Sequence, residues 1–309
     1  MKGEMMDRRS VVKSAAVAGA GAVMLASGGE AVGVRAAQSA ALSAAPQRGS
    51  FIESRDGVNL FYNDWGSGKP IVFSHAWGLN ADIWEYQLTE LSDQGFRCIA
   101  YDRRGHGRSG DPGRGYDYDT LSDDLAAIIE RLDLTEVTLV GFSMGSGEVA
   151  RYLSRHGSGR IARTMLVSVV PPKPRAALFP GFIAALKQDR PAFFTAGVAS
   201  FTGGAPTVSP AMSQWVLAQF LRASPKAVIE CMRAISASDL EADFEALKLP
   251  TLVIHGGSDQ VNPLDQTAKL TAAAIPGAEL RIYPDAPHGL VITHRDRLTK
   301  DLLAFVSSA

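Results

Sequence analysis

The chain has 309 residues, of which 46% are hydrophobic and 20% charged, enough apolar material for one large core. A formal net charge of −1 supplies no bulk field to recruit nucleic acid or an anionic membrane. No repeat of fixed period and no Cys/His cluster at metal-ligand spacing is present, which excludes solenoids and zinc modules and points to no metal.

The N-terminal stretch reads as a targeting segment. Asp7-Arg8-Arg9-Ser10-Val11-Val12-Lys13 precedes an apolar, small-residue run from Ala15 to Ala26, and Val34-Arg35-Ala36 offers a cleavage site. The pattern resembles a twin-arginine export signal, which implies a periplasmic or extracellular protein with no membrane attachment once mature. A membrane anchor or a tail of no consequence are the rival readings; the run is short and Gly/Ala-rich for a spanning helix. Residues 1–46 are therefore set apart, and 47–309 are read as the folded domain.

Beyond the leader, β-branched runs alternate with helical stretches. Phe51–Ile52 and Asn59–Asp64 flank Asp56-Gly57, a hairpin dipeptide. Pro70–Ser74 and Phe96–Tyr101 read as strands, with a helix over Ile83–Gln94 between them. Leu121–Leu132 carries apolar residues at helical spacing. Val137–Gly141 reads as a buried strand, Met144–His156 as a helix and Thr164–Val170 as the next strand. Thr251–His255 and Leu280–Tyr283 are the last strands, before a helix over Arg297–Val306. Strands with helices between them predict an α/β fold whose mostly parallel sheet carries helices on both faces. From about 171 to 247 no strand is evident, and amphipathic pieces follow Pro171, Pro172 and Pro174; this reads as an inserted helical cap. Its aromatics, among them Phe194, Phe201 and Phe220, read mostly as packing. Cys98 and Cys231 read as two buried free thiols.

Chemistry concentrates at a few positions. Gly141-Phe142-Ser143-Met144-Gly145 matches G-x-S-x-G, a weak pattern by itself in a chain with 30 glycines. Its setting strengthens it, because a buried strand runs into it and a helix follows, as a nucleophile elbow requires. A serine hydroxyl needs a base. Of six histidines, His288 in Asp285-Ala286-Pro287-His288-Gly289 follows the last strand and is the candidate. His294 reads as a surface residue, His255 as a packed strand end and His156 as a helix end. The orienting acid should follow a strand and precede the base, which selects Asp259 over Asp265, at a helix start, and Asp285, too near His288. The oxyanion donors are the backbone amides of Met144 and Trp77, the latter in the loop Ser74-His75-Ala76-Trp77-Gly78, where His75 braces the turn. Arg103 and Arg104 read as ties from their loop to Asp or Glu neighbours.

These stretches, with Trp84-Glu85-Tyr86-Gln87, Tyr101-Asp102-Arg103-Arg104-Gly105-His106-Gly107-Arg108-Ser109 and Tyr116-Asp117-Tyr118-Asp119-Thr120, resemble a particular family from Phe51 to the C-terminus. It is the bacterial cofactor-free haloperoxidases, or perhydrolases, with the closely similar aryl esterases. The resemblance implies an α/β-hydrolase fold and a triad of Ser143, Asp259 and His288, with Trp77 and Met144 as the oxyanion hole. It also implies a small acyl ester as substrate, hydrogen peroxide as a second acceptor, no metal or haem, and often a homo-oligomer. Three positions depart from the pattern: Ala76 and Gly78, where the family usually has Gly and Pro, and Gly257, where it usually has a second Asp. The first two leave the balance between ester hydrolysis and peracid formation open. A ligand-binding homologue without catalysis would show a lost triad member, and none is lost. For the leader, replacing Arg8 and Arg9 by lysine is expected to retain the full-length chain in the cytoplasm, read by cell fractionation.

Overall fold

The computed structural model describes residues 50–175, 179–204 and 207–307. The predicted leader, residues 1–46, lies outside the described residues. Eight strands form one sheet: β1 Phe51–Glu53, β2 Asn59–Gly66, β3 Pro70–Ser74, β4 Arg97–Tyr101, β5 Val137–Phe142, β6 Ile161–Val167, β7 Thr251–Gly256 and β8 Glu279–Tyr283. Their order is β1-β2-β4-β3-β5-β6-β7-β8. β1–β2 and β2–β4 pair antiparallel, and every later neighbour pairs parallel.

The central strands are apolar because both faces are covered. β5 and β7 are buried along their whole length, and β3 is buried at all but its first residue. Each fully buried Val, Leu or Ile there contributes about 1.5–3 kcal/mol relative to exposure. One face carries α2 (Tyr118–Arg131) and α3 (Met144–His156), whose buried residues share a core with Val72, Ile99, Leu139 and Leu166. The other carries α1 (Glu85–Asp93) and the C-terminal helix over Arg295–Ser307, packed with Ile71, Phe73, Val140 and Val167.

Boundaries moved where side-chain capping or backbone geometry overrode hydrophobic pattern. The helix expected from Leu121 starts a turn earlier, because Asp117 caps it by accepting the Thr120 N–H. The helix expected over Ile83–Gln94 divides into a 3₁₀ turn, Ala81–Trp84, and α1. The strand expected over Thr164–Val170 runs instead over Ile161–Val167. Ser168 ends it with φ +46°, although Val169 and Val170 remain buried.

Between β6 and β7 the chain passes through α4 (Phe179–Thr202), α5 (Pro210–Arg222), α6 (Pro225–Ala237) and α7 (Glu241–Glu245). α4 breaks at Asp189 (φ −155°, ψ 88°), just before Pro191, and the Asp189 carboxylate accepts the Ala192 N–H to restart it. Ser209 and Ser224 cap α5 and α6, each followed by proline at the first helical position. Phe194, Phe201, Val216 and Phe220 point from these helices into the core that holds Phe142 and Val167.

Cys98 on β4 and Cys231 on α6 are free and buried, and burial pushes both thiols up to about 12. Elsewhere the sheet meets α3 with almost no clearance. A Cβ on Gly145 would stand 2.5 Å from the Ser74 backbone oxygen, and one on Gly141 2.5 Å from the Gly145 oxygen. Gly145→Ala is therefore expected to lower stability by about 1–3 kcal/mol, read as a reduced denaturant midpoint.

Candidate active site

Sheet register builds the site. Parallel pairing sets Ser74, the last residue of β3, beside Gly141 near the end of β5, and Phe142 beside Val167 at the end of β6. The loops leaving these strands therefore emerge together at one sheet edge. Ser143 occupies the turn from β5 into α3 with φ +52° and ψ −115°, a conformation L-residues seldom adopt. It is held by its N–H, which donates to the Val167 oxygen at 2.8 Å. Its carbonyl accepts the Ser146 N–H at 2.8 Å and the Ser146 hydroxyl at 2.6 Å.

His288, in the loop after β8, brings Nε2 to 3.0 Å from Ser143 Oγ and Nδ1 to 2.7 Å from Asp259 Oδ2. Its backbone carbonyl accepts the Ser168 hydroxyl at 2.9 Å, so the left-handed exit from β6 also clamps the His288 loop. The imidazole lies between Phe142 and Phe201, ring centroids 5.5 and 5.8 Å away. Ser143 is 7% exposed, and His288 and Asp259 are 3% exposed, so water reaches this chain of groups only narrowly.

Asp259, in the turn after β7, is saturated with donors. Oδ1 accepts the Val261 and Asn262 N–H groups at 2.9 and 2.8 Å, while Oδ2 receives His288. Burial pushes its pKa up, but the His288 imidazole and the Asn262 amide outweigh that and hold it below the ordinary carboxylate range. His255 stands behind it, Nε2 at 3.3 Å from Oδ2 and 2.8 Å from the Asn262 oxygen. His255, expected as a packed strand end, also backs the acid, while the parts played by Asn262 and Ser168 leave no mark in the sequence. The i, i+4 spacing of His255 and Asp259 was the one signal available.

The rival acids lie elsewhere. Asp265 is exposed and pairs with Lys269, and Asp285 is exposed beside His294. His294, expected at the surface, is partly buried, its ring 6.0 Å from that of Tyr283. His156 ends α3 and meets Asp123 at 2.8 Å.

The two residues expected to supply oxyanion donors lie on different elements. Met144 is the first residue of α3 and fully buried. Trp77 follows β3, and its ring is fixed to the cap, with Nε1–H donating to the Val228 oxygen on α6 at 2.8 Å. Phe193 and Phe194 pack on that ring, Phe194 stacks on Phe220 at 4.8 Å, and Phe220 meets Phe201. The aromatics expected as cap packing thus form a continuous path from Trp77 to His288. Both arginines bind acids: Arg103 pairs with Glu148, and Arg104 with Asp124 and Asp56. Among the described residues, no group of three or more His, Cys, Asp or Glu side chains is placed to hold a metal ion.

This arrangement has known counterparts. A family model described as alpha/beta hydrolase fold matches residues 69–205. A non-heme haloperoxidase of Rhodococcus erythropolis is 38% identical over 272 residues, covering 84% of this chain and 99% of that protein. The chain belongs to the α/β-hydrolase family of non-haem haloperoxidases. Within it, the bifunctional esterase/perhydrolase DCH of Acinetobacter calcoaceticus is 34% identical, with 84% of this chain and 99% of the relative covered. The structure of the esterase EaEST from Exiguobacterium antarcticum matches with a TM-score of 0.82 at 32% identity, over 84% of this chain and all of that one.

At Gly78, where the resemblance implies proline, the structure describes the backbone directly. It takes φ +73°, and a Cβ there would meet the Phe220 ring at 2.8 Å. Proline fixes φ near −65°, so it does not fit this path of the loop. Gly78→Pro is expected to lower stability by more than about 1 kcal/mol, measured by denaturant unfolding.

Proposed function

We propose that this chain is a serine carboxylic-ester hydrolase acting through an acyl-enzyme, with hydrogen peroxide as an alternative acceptor. The observation that carries the reading is the unbroken line from Ser143 Oγ through His288 to Asp259, with contacts of 3.0 and 2.7 Å. The esterase and perhydrolase names among its relatives agree with it.

In this reading Ser143 Oγ attacks the ester carbonyl carbon as its proton passes to His288 Nε2. The carbonyl oxygen gains the negative charge and takes hydrogen bonds from the Trp77 and Met144 amides. As the tetrahedral species collapses, the C–O bond to the alcohol breaks and His288 returns its proton to the leaving oxygen. Water then attacks the acyl-enzyme, losing a proton to His288; the Ser143–acyl bond breaks, and the serine regains its proton. Hydrogen peroxide in place of water releases a peracid, which oxidises halide in solution. Asp259 accepts a hydrogen bond from Nδ1–H throughout, which fixes the tautomer that leaves Nε2 free to take the serine proton and stabilises the imidazolium once formed. Its depressed pKa keeps it anionic for that task.

In this reading the acyl group lies against the apolar surroundings of His288. Phe142 and Phe201 flank His288, and Phe201, Phe220 and Phe194 continue to Trp77. Small apolar or aryl esters suit such walls better than charged ones.

A panel of 4-nitrophenyl esters, with and without peroxide and bromide, tests the reading. Ester hydrolysis is expected, abolished in Ser143→Ala. Asp259→Asn is expected to lower kcat about 10³- to 10⁴-fold with the fold intact by circular dichroism. Absence of all ester turnover, with no fluorophosphonate labelling of Ser143, would sink it. Hydrolysis without bromide oxidation removes only the peroxide branch.

A further inference from the structure

One buried charge pair takes no part in the reaction as written. Arg103, just after β4, is fully buried, as is Glu148 on α3. Arg103 Nε donates to Glu148 Oε2 at 2.8 Å, and Nη2 lies 2.6 Å from the same oxygen. Nη2 also donates to Ser74 Oγ at 3.1 Å and to the His75 backbone oxygen at 2.9 Å. Ser74 Oγ in turn donates to Glu148 Oε2 at 3.1 Å, and Tyr101 OH donates to Glu148 Oε1. The guanidinium, together with the direct Ser74–Glu148 bond, therefore holds the end of β3 against α3. Trp77 lies in the loop that leaves β3 and Met144 begins α3, and theirs are the two amides proposed above for the oxyanion. A buried ion pair often adds little net stability over apolar packing, so stability alone is a poor account of it.

The same network fixes a peptide plane. The Arg103 backbone N–H donates to His75 Nε2 at 3.0 Å, which makes that nitrogen the acceptor and places the ring proton on Nδ1. Nδ1–H then donates to the Ala76 oxygen at 2.7 Å. Burial, and next the Arg103 charge, push His75 well below the usual imidazole range, so the ring stays neutral and keeps this tautomer. In a planar trans peptide the C=O and N–H point to opposite sides. Fixing the Ala76 carbonyl thus fixes the direction of the Trp77 N–H.

We propose that Arg103 and His75 are positioning residues for the oxyanion site: Arg103 sets the spacing between its two halves, and His75 aims the Trp77 amide. This rests on the acyl-enzyme reading, and it goes beyond a brace of the loop because it ties a buried pair to one donor's direction. Arg103→Lys keeps the charge opposite Glu148 but loses the Nε donor to that carboxylate, and with it the planar fork that orients Nη2 toward Glu148, Ser74 and the His75 oxygen at once. His75→Gln can still accept the Arg103 N–H but loses the donor to Ala76, whereas the shorter His75→Asn amide retains a donor near the Nδ1 position.

The full chain and these variants are assayed with 4-nitrophenyl acetate, active sites being counted by fluorophosphonate titration. Phenylboronic acid, which forms a tetrahedral adduct with an activated serine, reports the oxyanion site separately. Arg103→Lys and His75→Gln are expected to lose about 10- to 100-fold in kcat per titrated site, with KM little changed. Their affinity for phenylboronic acid is expected to fall in step, and His75→Asn to recover most of both losses. Unchanged kcat per titrated site in Arg103→Lys and His75→Gln overturns the proposal, as does His75→Asn performing no better than His75→Gln. If Arg103→Lys does not fold, the two His75 variants decide. An inactive, unlabelled wild type overturns the acyl-enzyme reading and this proposal with it, whereas an active wild type beside unimpaired variants overturns this proposal alone.

Discussion

The left-handed backbone of Ser143 is the constraint around which the neighbouring contacts are arranged. A non-glycine residue at φ +52° and ψ −115° costs about 1–3 kcal/mol, and it persists only where surrounding structure over-determines it. Here its N–H is taken by Val167, its carbonyl is taken twice by Ser146, and Gly141 and Gly145 leave room for the chain to cross. The turn lifts the hydroxyl out of the sheet edge toward His288. Relaxing it would return Oγ toward the strand and take from His288 Nε2 its serine partner, so the sheet's packing energy stabilises a geometry the local sequence disfavours.

The neighbouring loops are fixed by the same economy of polar groups. Asp259 uses both carboxylate oxygens on donors from its own turn and from His288, with His255 close behind. Ser168 ends β6 and holds the carbonyl of His288 in one residue. Few of these contacts are exposed to solvent, where they would be worth less, and each links a strand end to the next loop.

Much of this was legible in the sequence because hydrophobic pattern and turn chemistry are local. β3, β5 and β7 announce themselves as continuous apolar runs bounded by glycine or polar residues. Ser143, Asp259 and His288 stand in the chain order and loop settings that a strand-edge site demands. What was not legible depends on φ or on distant partners. Nothing in Val167-Ser168-Val169-Val170 says that the strand stops at Val167, because apolar burial continues past it and only the Ser168 backbone turns away. The break in α4 hides behind Asp189, an ordinary helix residue until its carboxylate caps the second half. Glu148 meets Arg103 from 45 residues along the chain, so loop and helix had to be folded before the pairing existed.

The Trp77 ring has a consequence for how such proteins diversify. Its indole N–H is bonded to α6, while its own backbone belongs to the loop beside the nucleophile. A cap helix is thereby tied to the loop that leaves β3 rather than merely resting upon it. Exchanging this cap for that of a relative, as a recombination event or a chimera would, severs that tie unless the incoming helix presents a carbonyl in the place of Val228. In this chain the cap and residue 77 are thus joined by one hydrogen bond, so a change in either is felt by the other.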